Sequence, residues 1–176
     1  MAYFDYEVRG TRLDLAHLEP RTLTLFVRTI ARELTIDVRF SNHCFTVAFD
    51  DNSHDRADLI WDYRRPRAYD TERHVFSRHL PTMVEALPSA SVHLTPSDWN
   101  YVYLAHVTLP DGRAYPMYFG LRRAPTDHRQ QPLMVMESAY PVADRKRVLA
   151  GTTKISFPVL YAKIYRGQTV RPRARR

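Results

Sequence analysis

A single cysteine, Cys44, stands among 176 residues, which excludes an intrachain disulfide and every zinc pattern built on several cysteines. Glycine is also sparse. Five residues leave no Gly-rich loop of the kind that cradles phosphates. Lysine is the rarer cation, three residues against 23 arginines, a bias typical of GC-rich coding sequence. No stretch approaches the ~18 consecutive apolar residues of a membrane span. The opening MAYFDYEVRG lacks the apolar stretch of a secretory signal. Neither His-Glu-x-x-His nor a paired Cys-x-x-Cys occurs. These absences point to a cytoplasmic protein with no membrane contact, no cofactor and no metal.

Hydrophobic residues make up 44% of the chain and charged residues 26%, which suits a folded globular protein. The length fits one domain. Charge is unevenly spread. Of 26 basic and 19 acidic residues, ten and one lie from Val142 onward, so the last 35 residues carry +9 and the first 141 carry −2. A tail of that sign attracts polyanions, and RNA is a natural partner. One domain over residues 1–166 is expected, followed by a basic, disordered arm over 167–176, where GQTVRPRARR offers little to bury.

Strand signals dominate. Tyr6 and Val8, a turn at Gly10, then Leu13 and Leu15 suggest an opening hairpin. Residues 20–34 fit a helical stripe (Leu23, Phe26, Val27, Ile30, Leu34) and also a strand; threonines 22, 24 and 29 tip the reading to strand. Leu34, Ile36, Val38 and Phe40 alternate, as do Phe45, Val47 and Phe49, which predicts a hairpin with His43 and Cys44 at its tip. One helix is predicted over 71–87, capped by Asp70 and kinked or divided at Pro81. A meander then runs through Val92–Leu94, Asn100–Leu109, Tyr115–Leu121 and Leu133–Ser138. A last strand is expected over Ile155–Tyr165, with Pro158 marking an edge or bulge. The expected class is α+β: an antiparallel meander with one principal helix packed on it, plus an N-terminal hairpin region.

Several groups could carry chemistry. His74 and Arg78, four apart on the predicted helix, would share a face opposite the apolar stripe, with His79 at its boundary. A proton-transfer group beside a fixed cation suits phosphodiester cleavage by a 2′-hydroxyl. His74 and His79 lie about 140° apart around a helix, too far to share one ion. Cys44 could pair with a histidine as a nucleophile, or serve as a small hydrophobe. Ser138 and Tyr140 end one strand, while Asn100 and Tyr101 open another. Hydroxyl and amide groups there could position a phosphate or base, and Tyr101 could stack on an unpaired base. Arg64 and Arg65, with Arg145, Lys146 and Arg147, would add phosphate contacts.

A helix carrying Arg73-His74 and Arg78-His79, followed by a meander closing on Glu137-Ser138-Ala139-Tyr140, resembles the barnase–EndoU–colicin–RelE-like group of small metal-independent ribonucleases, many of them bacterial or phage toxins. The resemblance covers about residues 70–140. It implies a catalytic set drawn from His74, Arg78, His79, Ser138 and Tyr140, with RNA as substrate and a protein antitoxin as a candidate partner. The other reading is a non-catalytic module that binds RNA or protein in stress or growth regulation.

Overall fold

Alternation of apolar and polar side chains builds most of this chain, and it decides the ambiguous stretch at 20–34. In a computed structural model that describes residues 3–95, 101–109, 111–123 and 131–170 (backbone only over 101–108), β1 (Glu7–Val8) and β2 (Thr11–Arg12) form the opening hairpin. Gly10 turns it at a φ of 71°, a left-handed conformation that glycine adopts without strain. A 3-10 turn, Ala16–Leu18, leads to β3 (Arg21–Val27), which pairs with β4 (Arg32–Phe40) from Arg21↔Val38 to Val27↔Arg32. Leu23, Leu25, Val27, Ile36, Val38 and Phe40 are all buried, while Thr22 and Thr24 face outward. A period of two puts every one of these apolar residues on one face, so the strand wins.

The expected hairpin across Ser41–Cys44 is not formed. Asn42–Cys44 is a 3-10 turn, and β5 (Thr46–Ala48) leaves the plane of β4 for a second sheet. Ser41 accepts the His43 N–H and donates to the Glu137 carbonyl, which anchors the turn. Asn42 and Cys44 are therefore buried rather than displayed at a tip. The second sheet is three-stranded, in the order β5, β7 (Arg65–Tyr69), β6 (Leu59–Asp62). Pro81 divides the predicted helix into α1 (Thr71–Ser77) and α2 (Leu80–Ala86). Asp70 caps the first, its carboxylate accepting the Arg73 N–H at 2.7 Å.

Next come β8 (Ser91–Leu94), β9 (Tyr101–Thr108), β10 (Ala114–Arg122), β11 (Leu133–Ala139), α3 (Arg145–Leu149), β12 (Thr153–Ser156) and α4 (Phe157–Tyr165). The large sheet runs β12-β8-β9-β10-β11-β4-β3. Its β11–β4 pair is parallel, so the meander is antiparallel only as far as β11. The predicted last strand is mostly helix. Pro158 stands in the first turn of α4, where its missing N–H has no helical partner to lose, and it marks a helix start rather than a strand edge. Phe157, Leu160 and Tyr161 of α4 are buried against the sheet, and the Tyr161 hydroxyl donates to the Thr35 carbonyl at 2.9 Å. The α+β class holds. Val170 packs on the core, whereas Arg171–Arg176 of the expected arm, the 96–98 turn and most of the 126–131 loop lie outside the described residues.

Candidate functional site

Both sides of α1 carry polar clusters. On one side, His74 is held at both ring nitrogens. Its Nε2 lies 2.9 Å from the Asp14 carbonyl, which can only accept, so Nε2 bears the proton. The Tyr69 hydroxyl then donates to Nδ1 at 2.8 Å. Arg78 does share that side, but its guanidinium is spent on the Asp14 carboxylate at 3.1 Å. The Ala16 N–H and Arg78 hold that carboxyl below its ordinary range. His79 is exposed and lies near the rings of Phe76 and Tyr115.

Beneath His74 sits His17, which sequence reasoning missed because nothing local marks it. The Ser77 hydroxyl donates to the His74 carbonyl, so His17 must donate its Nε2–H to Ser77 at 2.7 Å. Its Nδ1 is then a buried lone pair without a partner. Burial lowers the His17 pKa to about 4; the charges of Arg78 and Arg21 push the same way, and Asp14 opposes them. Between pH 6.5 and 4 the unfolded chain therefore binds a proton that the folded chain refuses, and stability is lost as pH drops through that window. After allowance for partial solvent screening, the loss is expected to be about 1–2 kcal/mol. Urea denaturation of the native protein and of His17→Gln at pH 7.5 and 4.5 checks this, since only the native protein should show the extra loss. Equal losses would refute it.

The other side of α1 faces the junction of the two sheets. Arg73 donates through Nη1 to the carbonyls of His43 (3.1 Å) and Thr46 (3.0 Å), and its guanidinium lies 4.8 Å from the centre of the Tyr140 ring. Arg67 donates to the Thr46 hydroxyl and carbonyl at 2.7 and 3.0 Å. Burial, then the neighbouring Arg73 charge, lowers the Arg67 pKa against the pull of Asp62. His43 is bound to Asp62 at 3.1 Å. Register explains how Tyr140 arrives here: Tyr118 pairs with Ser138 but Phe119 pairs with Met136, so Glu137 is an extra residue in β11. That bulge reverses the facing of residues 138–140, leaving Met136 and Ala139 buried and bringing Tyr140 onto Tyr118, with ring centres 5.5 Å apart. Burial, then the Tyr140 hydroxyl, raises the Tyr118 pKa.

The expected catalytic set is thus split. Among the described residues, no hydrogen bond, ion pair or ring contact joins His74, Arg78 or His79 to Ser138 or Tyr140. Asn100 lies outside the described residues, and Tyr101 is placed only by its backbone, opposite Phe119. Cys44 is fully buried, its thiol turned toward the Met136 carbonyl and its pKa pushed up to about 12, so it is a core residue and not a nucleophile. Arg64 and Arg65 are exposed at the β6–β7 turn, and Arg145, Lys146 and Arg147 are exposed on α3, whose cap is the Asp144 carboxylate. Trp61 and Tyr63 flank that β6–β7 turn at 55% and 98% exposure. The spacing Trp-x-Tyr-Arg-Arg held this signal, although the sequence alone does not say which aromatics are exposed.

Among the described residues no three His, Cys, Asp or Glu side chains gather closely enough to hold a metal ion, and no helix is long and apolar enough to cross a membrane. Comparison with curated proteins and with solved structures returns no match. A family model described as the YjaZ family matches residues 4–165, nearly all of the described fold. On the strength of that match, the chain belongs to the YjaZ family.

Proposed function

We propose that this protein is a non-catalytic RNA-binding module that grips single strands with the tip of its β6–β7 hairpin. The observation that carries the reading is the tip itself. Tyr63 is 98% exposed, on a turn that positive φ bends sharply, and it is followed directly by exposed Arg64 and Arg65. Neither arginine has a carboxylate partner among the described residues. Aromatic rings that take unpaired bases, interleaved with cations that take phosphates, form a sequence-tolerant grip. Arg145, Lys146 and Arg147 add exposed positive charge on α3, in the most basic fifth of the chain. His74 is poorly placed to act as a general base, which needs a free lone pair, because both its nitrogens are already committed.

The test is anisotropy of a labelled 12-nucleotide RNA against the full chain across a salt series. Affinity should fall with salt. Tyr63→Ala should weaken it about tenfold, as loss of one stacked base does. Arg64→Ala with Arg65→Ala should flatten the log–log salt slope by roughly 1.4. These residues are exposed, so melting temperature should not move. In EDTA the RNA should stay intact with the native protein and with a His74→Ala, His79→Ala double variant alike. Salt-independent or absent binding would refute the proposal, and cleavage lost only in the double variant would establish the ribonuclease instead.

A further inference from the structure

Two guanidiniums converge on one buried oxygen where the two sheets meet. Arg67 of β7 donates through Nη2, and Arg73 of α1 through Nη1, to the same Thr46 carbonyl, each at 3.0 Å. Thr46 is fully buried and both arginines are half-buried. Like charges held so close repel each other, and Arg73 contributes to the lowered pKa of Arg67. Among the described residues neither guanidinium makes an ion pair. Asp62 attracts Arg67 from beyond ion-pair distance, but its carboxylate is bonded to His43. Glu137, in the β11 bulge, is paired with neither arginine.

Arg73 is held in place yet keeps donors to spare. Both hydrogens of its Nη1 go to the His43 and Thr46 carbonyls, and its flat face lies on Tyr140, which stacks on Tyr118. Its Nε and Nη2 form the side-on edge that grips an oxyanion with two parallel bonds, and no described residue accepts from that edge. Arg67 spends Nε and Nη2 on Thr46 and keeps Nη1. We propose that Arg67 and Arg73 together bind a phosphate group, with the open edge of Arg73 taking two of its oxygens and Arg67 supplying the second positive charge. A phosphate suits the pair better than a carboxylate does. Its dianion matches two cations and its tetrahedral oxygens can be approached from two directions, whereas one fork satisfies a carboxylate. Side chains already fixed by Thr46, His43 and Tyr140 lose little freedom when the anion arrives. The same chemistry comes from a phosphomonoester or from the diester of a nucleic-acid strand. The site does not rest on the hairpin-tip reading.

Inorganic phosphate is therefore the first probe. Calorimetric titration of the full chain at pH 7.5 and fixed ionic strength should show saturable binding of one phosphate per chain. Acetate should bind at least about tenfold more weakly. Arg67→Lys and Arg73→Lys keep the charge but lose the planar fork, so each should weaken phosphate about tenfold or more. Arg12→Lys, exposed and paired with Asp5, should leave the affinity unchanged. Urea denaturation reports whether each variant is folded; if Arg73→Lys is not, Arg67→Lys decides. Uridine 5′-monophosphate and a uridine dinucleotide without a terminal phosphate then separate the sources. A monoester site takes only the first, and a strand site takes both. RNA binding that fails while phosphate binding holds would remove the hairpin-tip grip and leave this site standing. Absent or unsaturable phosphate binding, acetate bound as tightly as phosphate, or folded lysine variants with native affinity would each overturn the proposal.

Discussion

Arg73→Ala is expected to lower folding stability by about 2–4 kcal/mol, since hydrogen bonds from a charged donor are worth more than neutral ones and the ring contact adds to them. One nitrogen of this guanidinium bridges the His43 and Thr46 carbonyls while its flat face covers Tyr140. Removing it takes the guanidinium from the His43 carbonyl, leaves the Thr46 carbonyl to Arg67 alone and uncovers an aromatic ring. Among the described residues, no other side chain of α1 holds the 3-10 turn and the small sheet together in this way. Arg73→Lys should recover less than half of the loss, because an ammonium cannot span two carbonyls and also lie flat on a ring. Urea denaturation of the three proteins decides the matter. A loss below about 1 kcal/mol for alanine, the worth of an exposed pair, would show that the junction does not depend on Arg73.

Phe157→Ala should cost about 3–5 kcal/mol, the range for emptying a buried aromatic site. Phe157 is fully buried at the first position of α4, its ring 6.1 Å from that of Phe119 at the centre of the large sheet. Its N–H also donates to the Ala90 carbonyl at 2.9 Å, a bond that alanine keeps. The loss therefore reports packing and not capping. Val159→Ala, two residues on and 40% exposed, should cost under about 1 kcal/mol and serves as the matched control. If residues 157–165 were a strand, 157 and 159 would share a face and the two substitutions would cost similar amounts. Equal costs in chemical denaturation would contradict the helix and the burial it explains.

The two polar clusters on α1 show how much of a site a linear reading reaches. His74 and Arg78 do share one side of the helix, as their spacing says. What occupies that side comes from elsewhere in the chain: Asp14 and His17 from the segment before β3, and Tyr69 from β7. No helical or strand period relates those positions, so the satisfied state of His74 is not legible in the sequence. Tyr140 stands out there as a strand-end hydroxyl, yet one extra residue, Glu137, decides which face it reaches. Pro158 shows the same limit in miniature. The residue fits an edge strand or a first helical turn equally well, and only the packing of Phe157 and Leu160 onto the sheet chooses.

Local chemistry alone determined the α+β class, the strands with clean alternation, the Asp70 cap, the break at Pro81 and the concentration of positive charge near the C-terminus. Each arises from neighbouring residues, because side-chain period, cap geometry and a missing N–H act within a turn or two of their source. Tertiary structure decided the parallel β11–β4 pairing, the departure of β5 into a second sheet, the helix at 157–165 and the neighbours of His17, His43 and His74. Those outcomes depend on which apolar surfaces meet and which buried polar atoms find partners once they do, and both are set by residues distant in the chain.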